Sequence, residues 1–69
     1  MNVIGKNAEM IWNLLQRREY TEIGRLKKET DFSDIELWAA IGWLIYEGRL
    51  SCMNHLKNGK KDIILTLVK

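Results

Sequence analysis

One cysteine, one histidine and no proline stand in a chain of 69 residues. Each scarcity removes a class of protein. A lone Cys52 cannot close an internal disulfide. Cys52 and His55 together fall short of the four ligands of a structural zinc site. No cofactor or metal is expected on this count. The lack of proline and of low-complexity stretches argues against a linker or disordered tail. No apolar run approaches the roughly 18 residues of a membrane span, and the N-terminus lacks the basic-then-apolar layout of a signal peptide. With a free thiol and no targeting segment, a cytoplasmic location is the expectation. The net charge of +2 is too mild to imply a nucleic-acid partner by itself.

A chain of this length holds one domain, read here as residues 1–69. Chains this short bury a modest share of their surface and often depend on a disulfide, a metal or a partner chain. With the first two excluded, a partner chain is the remaining support.

The stretch MNVIGKNAEMIWNLLQRRE spaces Ile4, Ala8, Ile11 and Leu15 along one helical face, with Trp12 beside them. Arg17 and Arg18 are placed in its last turn, where cations suit the helix dipole. Tyr20 reads as a short extended link. Thr21 is then expected to cap a short second helix, EIGRLKKET, that ends at Thr30 and Asp31. The third helix has the clearest start in the chain. Ser33 and Glu36 fit a capping box, Phe32 and Leu37 fit the two positions of a hydrophobic staple, and Gly48 fits a left-handed stop.

The remainder reads as a hairpin. RLSCMNHL and KDIILTLV flank KNGK, and Asn58-Gly59 is the strongest short turn signal. A tight turn there sets Cys52 opposite Leu65, Leu50 opposite Leu67 and His55 opposite Asp62. Leu50, Cys52, Ile63, Leu65 and Leu67 then share the face that must lie on the helices. The fold class is therefore α+β, a winged helix-turn-helix of three helices followed by a C-terminal β-hairpin wing.

On the stretches IGKNAEMIWNLL, IGRLKKETDFSDIELWAAIGWLIYEGRL and the closing hairpin, the chain resembles the small single-domain winged helix-turn-helix proteins of bacteria, a family without an established function. AIGWLIYEGRL, Ala40 to Leu50, is the most specific part. The resemblance implies the fold, and fold alone does not give function.

Winged helix domains that bind DNA usually lay the third helix in the major groove, where Arg, Lys, Asn, Gln, Ser or Thr reach base edges. From Ser33 to Gly48 this chain has no Lys or Arg. On a helical wheel Leu37, Trp38, Ile41, Leu44 and Ile45 form the expected core face. Ile35, Ala39, Gly42, Trp43 and Tyr46 form a second apolar arc nearly opposite, and Glu36, Ala40 and Glu47 fill a narrow polar sector. An exposed aromatic arc is the usual mark of a protein interface. Gly42 adds to it, since a mid-helix glycine costs about 1 kcal/mol against alanine unless another backbone comes close.

Ile35, Ala39, Gly42, Trp43 and Tyr46 are thus the candidate homodimer interface, with Trp43 as its anchor and Trp38 in the core. The function expected is protein interaction, with a second copy or another protein, and not sequence-specific DNA binding. The competing reading is a small transcription regulator. It would touch backbone phosphates, weakly and without sequence preference, through Arg25, Lys27 and Lys28 on helix two and Arg49, Lys57, Lys60 and Lys61 on or near the wing. Catalysis finds no support. Cys52 and His55 lie three apart on one strand and so point to opposite faces, His55 with Asp62 is a cross-strand pair, and no glycine-rich phosphate loop is present.

Overall fold

The computed structural model describes the backbone of residues 3–68 and their side chains except that of Lys57; Met1, Asn2 and Lys69, including the first two residues of the expected first helix, lie outside the described residues. The elements run α1 (Val3–Leu15), β1 (Thr21–Glu22), α2 (Ile23–Thr30), α3 (Asp34–Tyr46), β2 (Leu50–Lys57) and β3 (Lys60–Leu67). The three strands form an antiparallel sheet in the order β1-β3-β2.

α1 buries Ala8, Ile11 and Leu15 as its spacing predicts, together with Asn7, while Ile4 sits at the exposed end of the stripe. The helix stops at Leu15, so Arg17 and Arg18 fall beyond its last turn. Arg18 does different work from the dipole role expected of it. Its guanidinium forks onto the Glu29 carboxylate at 2.7 and 2.6 Å and so ties the end of α1 to α2. The fork holds both groups charged: hydrogen bonding from Arg18 lowers the Glu29 carboxyl below its ordinary value, and Glu29 raises Arg18.

Thr21 is not the cap of α2. It is buried and pairs with Leu65 in β1, and Glu22 takes the capping position without a side-chain hydrogen bond. The ladder to β3 supplies partners for this backbone, so the helix starts later than its local signal suggests. α2 does end at Thr30, followed by a left-handed Asp31 whose N–H donates to the Lys27 carbonyl.

Both ends of α3 follow local chemistry. Ser33 Oγ accepts from the Glu36 N–H at 3.2 Å while the Glu36 carboxylate accepts from the Ser33 N–H at 2.9 Å. Phe32 packs against the core that contains Leu37. At the far end Gly48 adopts φ 73°, with Gly48 N–H donating to Ile45 and Arg49 N–H to Leu44, both at 2.9 Å. That is the paired closure of a Schellman turn.

The hairpin has the predicted register, Leu50↔Leu67, Cys52↔Leu65 and His55↔Asp62. Asn58 and Gly59 both take positive φ, 52° and 77°, as a type I′ turn demands. Leu50 and Leu65 carry the sheet into the core beside Ile11, Leu15, Leu26 and Ile41.

Candidate interaction face on the third helix

α3 is set in the fold by Leu37, Ala40, Ile41 and Leu44, all buried. This corrects the expected core face. Trp38 and Ile45 are not core residues; they stand 43% and 44% exposed, whereas Ala40, assigned to the polar sector, is fully buried. The helix is turned by roughly 50° from the expected setting. α1 is the main helix packed on α3, and Ala40 is among the fully buried residues of the core. The spacing i, i+3, i+4, i+7 from Leu37 through Ala40 and Ile41 to Leu44 is the signal that identifies this face.

The turn leaves a wider apolar surface than the sequence suggested. Ile35 is 82% exposed, Tyr46 90% and Trp43 39%, and Trp38 and Ile45 now adjoin them across the exposed Gly42. Ala39 is half-buried. Trp38 and Trp43 are thus covered to a similar extent, so Trp38 does not belong to the core as expected. Taking about 150–250 Å² for each full side chain, the five large residues leave roughly 600 Å² open. That lies at the top of the ~300–600 Å² of the largest apolar patch on a typical monomer. A Cβ added at Gly42 meets nothing within 4 Å among the described residues, so nothing inside the chain requires glycine there.

The charged rim of this face is acidic and already engaged. Asp34 is paired with Lys27 across the turn between α2 and α3. The Glu36 carboxyl is lowered by the N–H and hydroxyl of Ser33 that it meets in the capping box. The arc carries no Lys, Arg, Asn, Gln, Ser or Thr to read a base edge; its side-chain donors are the Trp38 and Trp43 indole N–H groups and the Tyr46 hydroxyl.

Several of the basic candidates are already paired. Arg25 pairs with Glu29 at 3.8 Å and Lys27 with Asp34. Arg49 lies over the Trp12 ring, 4.1 Å from its centroid, between Glu47 at 3.7 Å and Glu9 at 4.0 Å. Lys28, Lys60 and Lys61 make no ion pair among the described residues, and the Lys57 side chain lies outside them. Lys60 and Lys61, consecutive on β3, both line an open groove with Glu22, Asn58 and Asp62.

Cys52 is exposed at its surface, with partial burial raising its thiol above the ordinary range. Asp62 stands opposite His55, but its carboxylate accepts the N–H of Ile63 at 2.8 Å. Among the described residues no cluster of three or more His, Cys, Asp or Glu could hold a metal ion, and no helix is long and apolar enough to cross a membrane.

The sequence of residues 1–66 matches a family model, the winged helix-turn-helix domain DUF2582, in keeping with the three helices and the closing strand pair. The chain belongs to this family. No curated protein and no solved structure matches it. Membership makes α3 the helix that corresponds to the DNA-reading helix of winged helix-turn-helix domains, and the fold is typically non-enzymatic. In this winged helix-turn-helix the position is occupied by an apolar arc with an acidic rim.

Proposed function

We propose that this winged helix-turn-helix domain is a cytoplasmic protein-interaction module that forms a homodimer through the outer face of α3, without catalytic activity or cofactor. The observation that carries the reading is the open arc of Ile35, Trp38, Trp43, Ile45 and Tyr46 around Ala39 and Gly42, on a helix that has no cation. A second copy is the occupant because the chain is short and its apolar area is large. Burying roughly 600 Å² from each side approaches the ~800 Å² per partner of a standard interface. Association would also stabilise so small a fold by mass action. Sedimentation equilibrium from micromolar to several hundred micromolar tests it, and a single-chain mass throughout would end the proposal.

Lys28, Lys60 and Lys61 favour a second reading, a DNA-binding regulator that grips phosphates through α2 and the wing. Specific binders typically reach about 10⁻⁸ to 10⁻¹¹ M at physiological salt. Titration with duplex DNA separates the two readings. The interaction module shows only weak binding that falls steeply with salt and does not distinguish a selected sequence from a scrambled one. A defined motif enriched by unbiased selection would favour the regulator.

A further inference from the structure

β2 is an edge strand, since the sheet runs β1-β3-β2 and no strand among the described residues lies beyond it. Exposed edges ordinarily carry a lysine, a proline, a bulge or an inward charge that discourages pairing with another chain. From Leu50 to Leu56 this strand has no Lys, Arg, Asp, Glu or Pro. Its ladder with β3 runs without a bulge from Leu50↔Leu67 to Lys57↔Lys60. Met53 and Leu56 are each more than half exposed.

The direction of its free backbone groups follows from one hydrogen bond. Val68 N–H donates to the Arg49 carbonyl at 3.0 Å, which makes these two residues a hydrogen-bonded pair. Bonded and non-bonded pairs alternate along an antiparallel ladder, so Ser51–Thr66, Met53–Ile64 and His55–Asp62 are bonded pairs too. Leu50, Cys52, Asn54 and Leu56 therefore turn their N–H and C=O groups to the open side.

We infer that this open edge is part of the self-association surface, with β2 pairing antiparallel to β2 of a second copy about a two-fold axis at Met53. The two sheets then join into one. The inference rests on the homodimer proposed above and names a second element of its interface.

Three features of the strand select a second copy as the occupant. The pairing is self-complementary: Leu50 faces the partner's Leu56, Ser51 the partner's His55, Cys52 the partner's Asn54, and Met53 its own copy. No like charges are opposed between Leu50 and Leu56, where a strongly acidic or basic partner would find no counter-charge; at the ends of the ladder Lys57 falls opposite the partner's Arg49, whose charge Glu47 and Glu9 already offset. Shifting the axis to Asn54 leaves Leu50 outside the ladder. The edge also supplies missing area. Met53 and Leu56 add on the order of 200 Å² to the α3 arc, bringing each side to the ~800 Å² of a standard interface. Finally the two surfaces are continuous. A groove of about 290 Å³ between Trp38 of α3 and Cys52, Met53, Asn54 and Ile63 of the wing joins the helix arc to the strand edge.

Disulfide trapping tests the register. In Cys52→Ser/Met53→Cys the two new thiols sit in a non-bonded pair across the axis, with Cα atoms about 4.5 Å apart, within disulfide range. In the control Cys52→Ser/His55→Cys the thiols lie four residues out of register, roughly 13 Å apart. Both are made at exposed positions, and circular dichroism confirms that each is folded. In a glutathione redox buffer the Met53→Cys protein is expected to form a covalent dimer at least about tenfold faster than the control. Equal, slow cross-linking of a protein that light scattering finds dimeric would refute the strand pairing and leave the α3 dimer standing. A monomeric mass overturns both proposals. Amide hydrogen exchange on the unmodified protein is a check without mutation. The N–H groups of Cys52 and Asn54 should become protected as concentration rises, and unprotected amides in a dimeric sample count against the pairing.

Discussion

Tyr46→Ala separates association from folding more cleanly than any other change on α3. Tyr46 is the last residue of the helix and 90% exposed, so the isolated fold loses almost nothing when the ring is removed. Helix propensity favours alanine over tyrosine by roughly 0.5 kcal/mol, which makes the monomer equally or slightly more stable. The dimer behaves in the opposite sense. An aromatic anchor at an interface contributes about 2 kcal/mol or more, and across a two-fold axis each substitution acts twice. The expected loss is about 4 kcal/mol of association, near a thousandfold in Kd. The assay pairs sedimentation velocity with thermal melts by circular dichroism over a dilution series. The unaltered protein should melt at higher temperature as concentration rises, because the dimer stabilises its folded chains. Tyr46→Ala should lose that concentration dependence while matching or exceeding the dilute melting temperature. A Kd within threefold of the original, or a dilute melting temperature that falls, would refute the reasoning.

Trp38→Ala should destabilise the dilute monomer by about 2 kcal/mol, a little over half of the 3–5 kcal/mol of a fully buried aromatic. Denaturant unfolding reads this directly, and a loss of 4 kcal/mol or outright unfolding would mean the indole is core after all. Gly42→Ala should raise the monomer's stability by about 1 kcal/mol, or roughly 4–8 °C in melting temperature, because the added Cβ meets nothing within 4 Å among the described residues. The same change should weaken the dimer if backbones approach there, so tighter association on sedimentation would contradict Gly42's place in the interface. Glu29→Gln removes the carboxylate that Arg18 holds below its ordinary 4.5 through a side-chain hydrogen bond. A lowered carboxyl stabilises the fold fully above 4.5 and loses that contribution as pH falls through its shifted value. The variant should therefore melt below the unaltered protein at pH 7 and approach it in acid; a gap that does not narrow as pH falls below 4.5 would exclude this origin.

Local chemistry was legible where a few neighbouring residues decide the outcome. Ser33 with Glu36 set the start of α3, Gly48 its stop, and Asn58-Gly59 the register of the whole hairpin. What depended on distant partners was not. The rotation of α3 is decided by how α1 packs on it, so bulk apolarity placed Trp38 inside when the small Ala40 belonged there. Thr21 carries the signal of a helix cap but is claimed by Leu65 across the sheet. Arg18 reads as a helix-dipole cation and is claimed by Glu29 from α2. The apolar arc on α3 was readable as composition, since no cation occurs there, yet its full extent through Trp38 and Ile45 appears only once the helix is oriented.

The homodimer is tested most directly by the solution mass of the unaltered protein, measured by light scattering as concentration rises from a few to several hundred micromolar. The mass is expected to climb from the 8.1 kDa of one chain to twice that value and to stop there, since a closed two-fold interface leaves no surface for further growth. A mass that stays at one chain at the highest concentration contradicts self-association, and a mass that keeps rising past two chains contradicts the two-fold closure.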